Sequence, residues 1–247
     1  MSDDTLIPRA PAHPAVTLSA FAEAIIRGRR VAVLGDATTS LPGRLLERGA
    51  RLVHAFDPDA GRVAIAAAAG REPGQPVASL WADDLGIRDG AFDVVIVPDL
   101  SLFEDGEEVV RRVRRLVSQT GIALIASPNP DATKFLLPPA QGLHRALGYY
   151  ELFDAVSLQF PEVKMLGQAP FVGYALVDFS EADPEISVDT SLLDEPEVPE
   201  WYVAVASDRA VEVEAFALIE IALSEVGRLA LAEPITLPPI RPTGPTE

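Results

Sequence analysis

Short apolar runs recur along this chain, and helical stretches lie between most of them. The runs are four to six residues long and end at turn residues, which is typical of strands buried on both faces. Alternation of such strands with helices predicts a parallel sheet with crossover connections. The five predicted strands are Val31–Leu34, Leu52–Phe56, Pro76–Trp81, Phe92–Val97 and Gly121–Ala126.

The last third of the chain breaks this alternation. Tyr149–Phe160 has helical spacing, whereas Val163–Phe179 and Trp201–Ala206 predict two strands with no helix between them. Strands joined without a crossover helix pair antiparallel. We therefore predict an α/β fold: a doubly wound, mostly parallel seven-stranded sheet with an antiparallel C-terminal hairpin at one edge and helices on both faces.

Proline-rich and acidic stretches divide the chain into four segments. Residues 1–16, with three prolines, predict a flexible N-terminal arm. Residues 17–207 form the predicted main domain, in which the acidic stretch 180–200 is expected to run over the surface. Residues 208–232 predict an amphipathic helix, and residues 233–247 form a proline-rich tail.

The first two strands and the loop between them carry the clearest functional pattern. Gly35 ends the first strand, Ser40 and Pro42 signal a helix start, and Asp57 follows the second strand 22 residues after Gly35. This is the layout of a nucleotide-binding βαβ unit, whose acidic residue accepts hydrogen bonds from ribose hydroxyls. However, the loop over residues 35–40 has only one glycine, and residues with a Cβ pay about 1–2 kcal/mol in a left-handed conformation.

Composition narrows the class of partner. The formal net charge is −17, whereas nucleic acids and anionic membranes require a basic surface. The chain has no cysteine, and His13, His54 and His144 are too scattered for a metal site, so we expect no metal. We find neither an apolar run long enough for a membrane span nor a signal-peptide core, which predicts a cytoplasmic protein.

These motifs and their order resemble the class I S-adenosylmethionine-dependent methyltransferases over roughly Thr17–Ser207. The fourth strand, Phe92–Val95, matches the family closely. The resemblance implies that Gly35 lies under the methionine part of the cofactor, that Asp57 binds the ribose, and that Asp83 meets the adenine amine.

The chain departs from the family pattern in the first loop. The family has an acidic residue where this chain has Val33, and glycines where it has Ala37 and Thr39. Asp36 adds a negative charge next to the N-terminus of the following helix, where a phosphate would otherwise bind. The resemblance places Gly35, Asp36, Asp57 and Asp83 at the cofactor, but the altered loop predicts weak or no S-adenosylmethionine binding.

A catalytic base is harder to assign. Asp99, after the fourth strand, is the one weak candidate, and a turn or helix-start role is the alternative. Ser127–Pro130 resembles the Asn-Pro-Pro-aromatic motif of amino-methylating enzymes, but it follows the fifth strand, whereas that motif belongs after the fourth. The arginine cluster at 111–115 predicts a solvated helix face.

Three functional readings follow. We favour a degenerate methyltransferase that acts as a protein-interaction or regulatory module. The 209–232 helix is then expected to bind a protein partner or to form a homodimer. The alternative is an active methyltransferase on a small-molecule or protein acceptor, since that chemistry depends mainly on proximity and orientation. A nicotinamide oxidoreductase would need G-x-G-x-x-G after the first strand, which this chain lacks.

Overall fold

The computed structural model describes residues 14–70, 74–83, 85–133, 135–136, 144–171 and 198–221, with 173, 176, 180 and 187–191. The strands are β1 Arg30–Leu34, β2 Leu52–Asp57, β3 Val77–Leu80, β4 Phe92–Val97, β5 Val117–Pro128, β6 Glu162–Gln168 and β7 Trp201–Ser207. The helices are α1 Pro14–Phe21, α2 Glu23–Ile26, α3 Leu41–Glu47, α4 Ala60–Ala69, α5 Gly106–Leu116 and α6 Tyr149–Ser157, with a 3-10 turn at Leu100–Leu102.

The seven strands form one mixed sheet in the order β3-β2-β1-β4-β5-β7-β6. The first five strands are parallel, and β7 lies antiparallel between β5 and β6. The predicted fold class is therefore confirmed, including the antiparallel pair at the C-terminal edge. The chain passes from β3 at one edge of the sheet to β4 on the other side of β1, so the direction of strand addition reverses between β1 and β4. A crevice at such a reversal is where open α/β sheets bind ligands.

Two apolar layers enclose this sheet. Successive side chains on a strand point to opposite faces, so Val31 and Val33 join the layer under α1, α2 and α3. Ala32 and Leu34 join the opposite layer, under α5 and α6. All four side chains are at most 1% exposed. Burial on both faces explains why β1 has no polar alternation in the sequence.

The N-terminal boundary differs from the prediction. Residues 14–16 were assigned to the flexible arm, but they form the first turn of α1, and Ala15 and Val16 are buried. Proline is well suited to the first helical position because its missing N–H would have no helical acceptor there. Residues 1–13 of the predicted arm lie outside the described residues.

The C-terminal segment also differs. The predicted helix within 208–232 is absent over residues 211–221, and residues 222–247 lie outside the described part. Phe216 and Leu218 are 68% and 46% exposed, so this stretch lacks the packing that stabilises most amphipathic helices. The predicted strand over residues 163–179 is shorter as well, because β6 ends at Gln168. Of the predicted surface stretch 180–200, the structure describes only a few residues. Among the described residues, no helix is long and apolar enough to cross a membrane.

An ion pair joins the starts of β1 and β4. The Arg30 guanidinium donates to Asp93 from Nη2 at 2.7 Å and from Nε at 3.1 Å, and the Arg30 backbone N–H donates at 2.9 Å. These hydrogen bonds, chiefly the guanidinium contact, lower the pKa of Asp93 to about 2.

We expect Asp93→Asn to lower the free energy of unfolding by about 1 kcal/mol near neutral pH, the value for a partly exposed pair. Because the folded pKa is depressed, this contribution is complete above the usual value of 3.8 and is lost as pH falls through about 2. Denaturant unfolding at several pH values measures it, and the two proteins should converge in acid. Asp89→Asn, at the exposed Arg115 pair, is the control; an unchanged gap in acid would contradict the prediction.

Candidate functional site at the carboxyl end of the sheet

The predicted site residues gather at the carboxyl ends of the parallel strands. The loop over residues 35–40 follows β1, Asp57 ends β2, Asp83 follows β3 and Asp99 follows β4. The Trp81 N–H donates to the Asp57 carbonyl at 2.8 Å, so the segment that leads to Asp83 starts beside Asp57. The structure thus brings the four cofactor candidates to the same edge.

Gly35 turns the chain away from β1. Its φ is +148°, in the region that favours glycine, and its N–H donates to the Phe56 carbonyl at 2.8 Å. A Cβ on Gly35 would lie 3.1 Å from Leu102 Cδ1 and 3.5 Å from Pro98 Cγ. The glycine therefore lets the backbone pack closely against Leu102 and Pro98.

The rest of the loop bonds to itself. The Asp36 carboxylate is 5% exposed and accepts the Thr38 N–H at 2.9 Å and the Thr38 hydroxyl at 2.5 Å. The Thr39 hydroxyl donates to the Asp36 carbonyl at 3.1 Å. Among the described residues, no residue other than glycine has a positive φ. The prediction of left-handed strain over residues 35–40 is therefore wrong. After Gly35 the loop turns around Asp36 with negative φ values, which residues with a Cβ adopt without strain.

Asp57 is enclosed by hydrogen-bond donors. Its side chain is 0% exposed. Arg62 donates to it from Nη2 at 2.6 Å and from Nε at 2.9 Å, the paired arrangement typical of arginine–carboxylate contacts. The Ala37 N–H, from the loop after β1, and the Asp59 N–H each donate at 2.8 Å. Both carboxylate oxygens of Asp57 are therefore held by the protein itself.

Arg62 reaches Asp57 from the first turn of α4. Asp59 caps this helix by accepting the Arg62 backbone N–H at 2.9 Å. The Arg62 side chain is 30% exposed and its Nε also lies 3.7 Å from an Asp36 oxygen. Its pKa is raised, first by the hydrogen bond to Asp57 and further by the charges of Asp57, Asp36 and Asp59. Sequence reasoning missed Arg62, although an arginine in the first turn after a strand-end acid was a detectable signal.

A second arginine fixes the segment before Asp83. The Arg112 guanidinium lies 3.8 Å from the centre of the Trp81 ring and donates to the carbonyls of Ala82 and Asp83. Burial lowers the pKa of Arg112. Asp83 itself is exposed. Arg112 belongs to the arginine cluster at 111–115, which was predicted to form a solvated helix face. Solvation is only part of the role of this cluster, because its arginines also hold neighbouring loops. The other two such contacts are Arg114–Asp208 at 2.9 Å and Arg115–Asp89 at 3.2 Å.

Asp99 and Asn129 both have structural partners. Asp99 is 4% exposed and accepts the Ser101 N–H at 3.0 Å and its hydroxyl at 2.6 Å, so it caps the 3-10 turn. Asn129 is 1% exposed, donates to the Pro199 carbonyl at 2.7 Å and accepts the Asp131 N–H at 3.0 Å. These contacts give both residues a structural role: Asp99 begins the 3-10 turn, which was the alternative prediction for it, and Asn129 holds the segment after β5.

The described histidines do not form a metal centre. His54 stacks on Phe56 with ring centres 4.1 Å apart, bonds to the Ser79 hydroxyl at 2.8 Å, and has its pKa lowered by burial. His144 donates its backbone N–H to Ser101 at 2.9 Å. Within the described ranges, no three His, Asp or Glu side chains are grouped to hold a metal ion. His13 lies outside those ranges.

In the conformation described, Arg62 occupies the Asp57 carboxylate to which a ribose would bond in the family pattern. A ribose bound here would have to bond to Asp57, whose carboxylate is fully buried under Arg62. A ligand with a ribose would have to displace Arg62 before it could bond to Asp57.

Comparison with known proteins supports the fold. Residues 34–125 match the family model described as a methyltransferase domain. An S-adenosylmethionine-dependent methyltransferase from Mesorhizobium loti is 17% identical, covers 79% of this chain and 98% of its own, and gives a TM-score of 0.56. Another from Thermotoga maritima is 13% identical, covers 79% and 89%, and gives 0.51. No curated protein matches this chain in sequence.

Proposed function

Because residues 34–125 match a methyltransferase domain and the chain has the class I methyltransferase fold, we propose that this domain is a degenerate methyltransferase. In this proposal it binds S-adenosylmethionine weakly or not at all and acts as an interaction or regulatory module. The observation that carries the proposal is the Asp57 carboxylate, which is 0% exposed and held by Arg62.

The energetic argument concerns the exchange of partners at Asp57. A bidentate arginine–carboxylate pair is among the stronger hydrogen-bonded contacts in proteins. A ligand must break this contact before it gains its own, so its apparent affinity falls by the fraction of molecules that are open. If about 1% of molecules are open, the affinity falls about 100-fold.

The interaction part of the proposal concerns residues 209–221, the described portion of the segment that we predicted as a partner helix. Phe216 is 68% exposed and Leu218 is 46% exposed there, which leaves apolar surface for a protein partner or a second copy of the chain. Light scattering of the purified chain, whose mass is 26.4 kDa, distinguishes a homodimer from a monomer that needs another protein.

We expect calorimetric titration of the whole chain with S-adenosylmethionine, and with S-adenosylhomocysteine, to give no binding tighter than about 10 µM. The physical reason is the closed contact between Asp57 and Arg62. The Asp57→Ala variant is the control. Binding tighter than this value that is lost in Asp57→Ala would contradict the proposal and favour the second candidate, an active methyltransferase.

The second candidate rests on a specific observation. The contact with Asp57 is made by the Arg62 side chain, which is 30% exposed, so the guanidinium can leave Asp57 without any movement of a strand. An acceptor bound next to an opened site would then need mainly alignment with the methyl donor.

A further inference from the structure

We propose that Arg62 occupies the place on Asp57 that the two neighbouring hydroxyls (the diol) of a ribose would take. In this proposal Arg62 sets the affinity of the site for nucleosides, and the missing glycines of the 35–40 loop do not. The inference rests on the proposed function and names the residue that closes the site. The Arg62 guanidinium presents two parallel N–H groups to one carboxylate, at 2.6 Å and 2.9 Å. The two neighbouring hydroxyls of a ribose would present two O–H donors to the same atoms.

Competition follows from the number of acceptor positions. A carboxylate offers about four lone-pair positions. At Asp57 the backbone N–H groups of Ala37 and Asp59 take one on each oxygen, and Arg62 donates to both oxygens. A diol can therefore bind Asp57 only where Arg62 has left.

The donors differ in how readily they move. Ala37 and Asp59 donate from the backbone at the ends of β1 and β2, so these contacts persist as long as the sheet does. Arg62 donates from a long side chain on α4, a helix that the structure describes in full and that has no fully buried side chain. Arg62 is therefore the one of these donors that a ligand can displace.

A second arrangement is available to the displaced guanidinium. Asp36 has an oxygen 3.7 Å from Arg62 Nε, and Asp59 contributes a further carboxylate at the cap of the same helix. The charged groups facing Arg62 are thus Asp36, Asp57 and Asp59, three carboxylates around one cation. When Arg62 leaves Asp57, it remains close to negative charge, which makes an open state accessible.

The loop, by contrast, shows no left-handed backbone strain that glycines would relieve. Within the described residues, only glycines have positive φ, so the side chains of Ala37, Thr38 and Thr39 impose no left-handed strain. The Asp36 turn also satisfies the Thr38 N–H and hydroxyl locally. Replacing these residues with glycine therefore relieves no backbone strain.

The test uses S-adenosylhomocysteine as the probe, titrated by calorimetry into the whole chain. We expect Arg62→Met to bind it at least about tenfold more tightly than the natural chain, a shift of about 1.4 kcal/mol. Arg62→Lys should gain less, because lysine keeps the charge but loses the planar pair of donors. Arg44→Met is the matched control: Arg44 pairs with Glu47 at 3.3 Å on α3 and should leave the affinity unchanged.

Two further variants locate the effect. Arg62→Met combined with Asp57→Ala should lose the gain, because the freed carboxylate is what the diol would bond to. Thr38→Gly with Thr39→Gly should change the affinity by less than about twofold, within the scatter of such measurements.

Each outcome bears on one of the two proposals. Tight binding by the natural chain would overturn the proposed function, whatever the variants do. Weak binding by the natural chain, with no gain in a folded Arg62→Met, would leave the proposed function standing and overturn the role of Arg62. A gain in the double-glycine variant alone would do the same and assign the obstacle to the loop. If Arg62→Met does not fold, Arg62→Lys decides: no gain there overturns the inference.

Discussion

Replacement of Asp57 by alanine should lower the free energy of unfolding by about 3 kcal/mol, the lower end for breaking a buried ion pair. The variant removes the acceptor of four donors and leaves the Ala37 N–H enclosed without one. It also leaves the Arg62 guanidinium without its main partner, although Asp36 at 3.7 Å compensates in part. Denaturant unfolding followed by circular dichroism measures the change.

This experiment distinguishes a structural acid from a ligand-binding acid. An acid that a site keeps open for a ligand is often neutral or unfavourable for stability, so its removal costs little. Asp83→Ala is the matched control, because Asp83 is exposed at the same edge and should change stability by less than about 0.5 kcal/mol. A loss at Asp57 as small as that at Asp83 would show that its carboxylate is not held as described.

Replacement of Trp201 by alanine should lower the free energy of unfolding by about 3–5 kcal/mol, the range for a large aromatic side chain removed from a core. Trp201 is 1% exposed and begins β7, where it is paired with Pro128 on β5 and Gln168 on β6. Its side chain lies in the layer under α1, α2 and α3. The loss should appear in thermal and denaturant unfolding.

The neighbouring residue provides the control for Trp201. Tyr202 points to the opposite face and is only partly buried, with its ring 5.5 Å from that of Tyr149. Tyr202→Ala should therefore cost clearly less than Trp201→Ala. Equal losses in the two variants would argue against a Trp201 side chain that fills the core between α1 and the sheet.

The fold was largely predictable because its strands are short apolar runs with clear ends. β4 has the bounds that the sequence predicted, and the pattern of two final strands without a helix gave the antiparallel edge. Apart from the shorter β6, the errors in the predicted elements lie towards the two ends of the chain. Pro14–Val16 joined α1 because Ala15 and Val16 find a buried surface, and residues 211–221 lack a helix while Phe216 stays exposed. Amphipathic spacing predicts a helix only where a partner surface exists.

The sequence by itself determined which residues reach the site, because Gly35, Asp57 and Asp83 lie at or shortly after the carboxyl ends of parallel strands, and these ends share one edge of the sheet. Only the tertiary structure decided what surrounds them. Arg62 reaches Asp57 because only two residues separate β2 from α4, and Leu102 reaches Gly35 because β4 lies next to β1. Strand periodicity is a local property and can be read from the chain, whereas the partner of a buried carboxylate depends on which segments the sheet brings together.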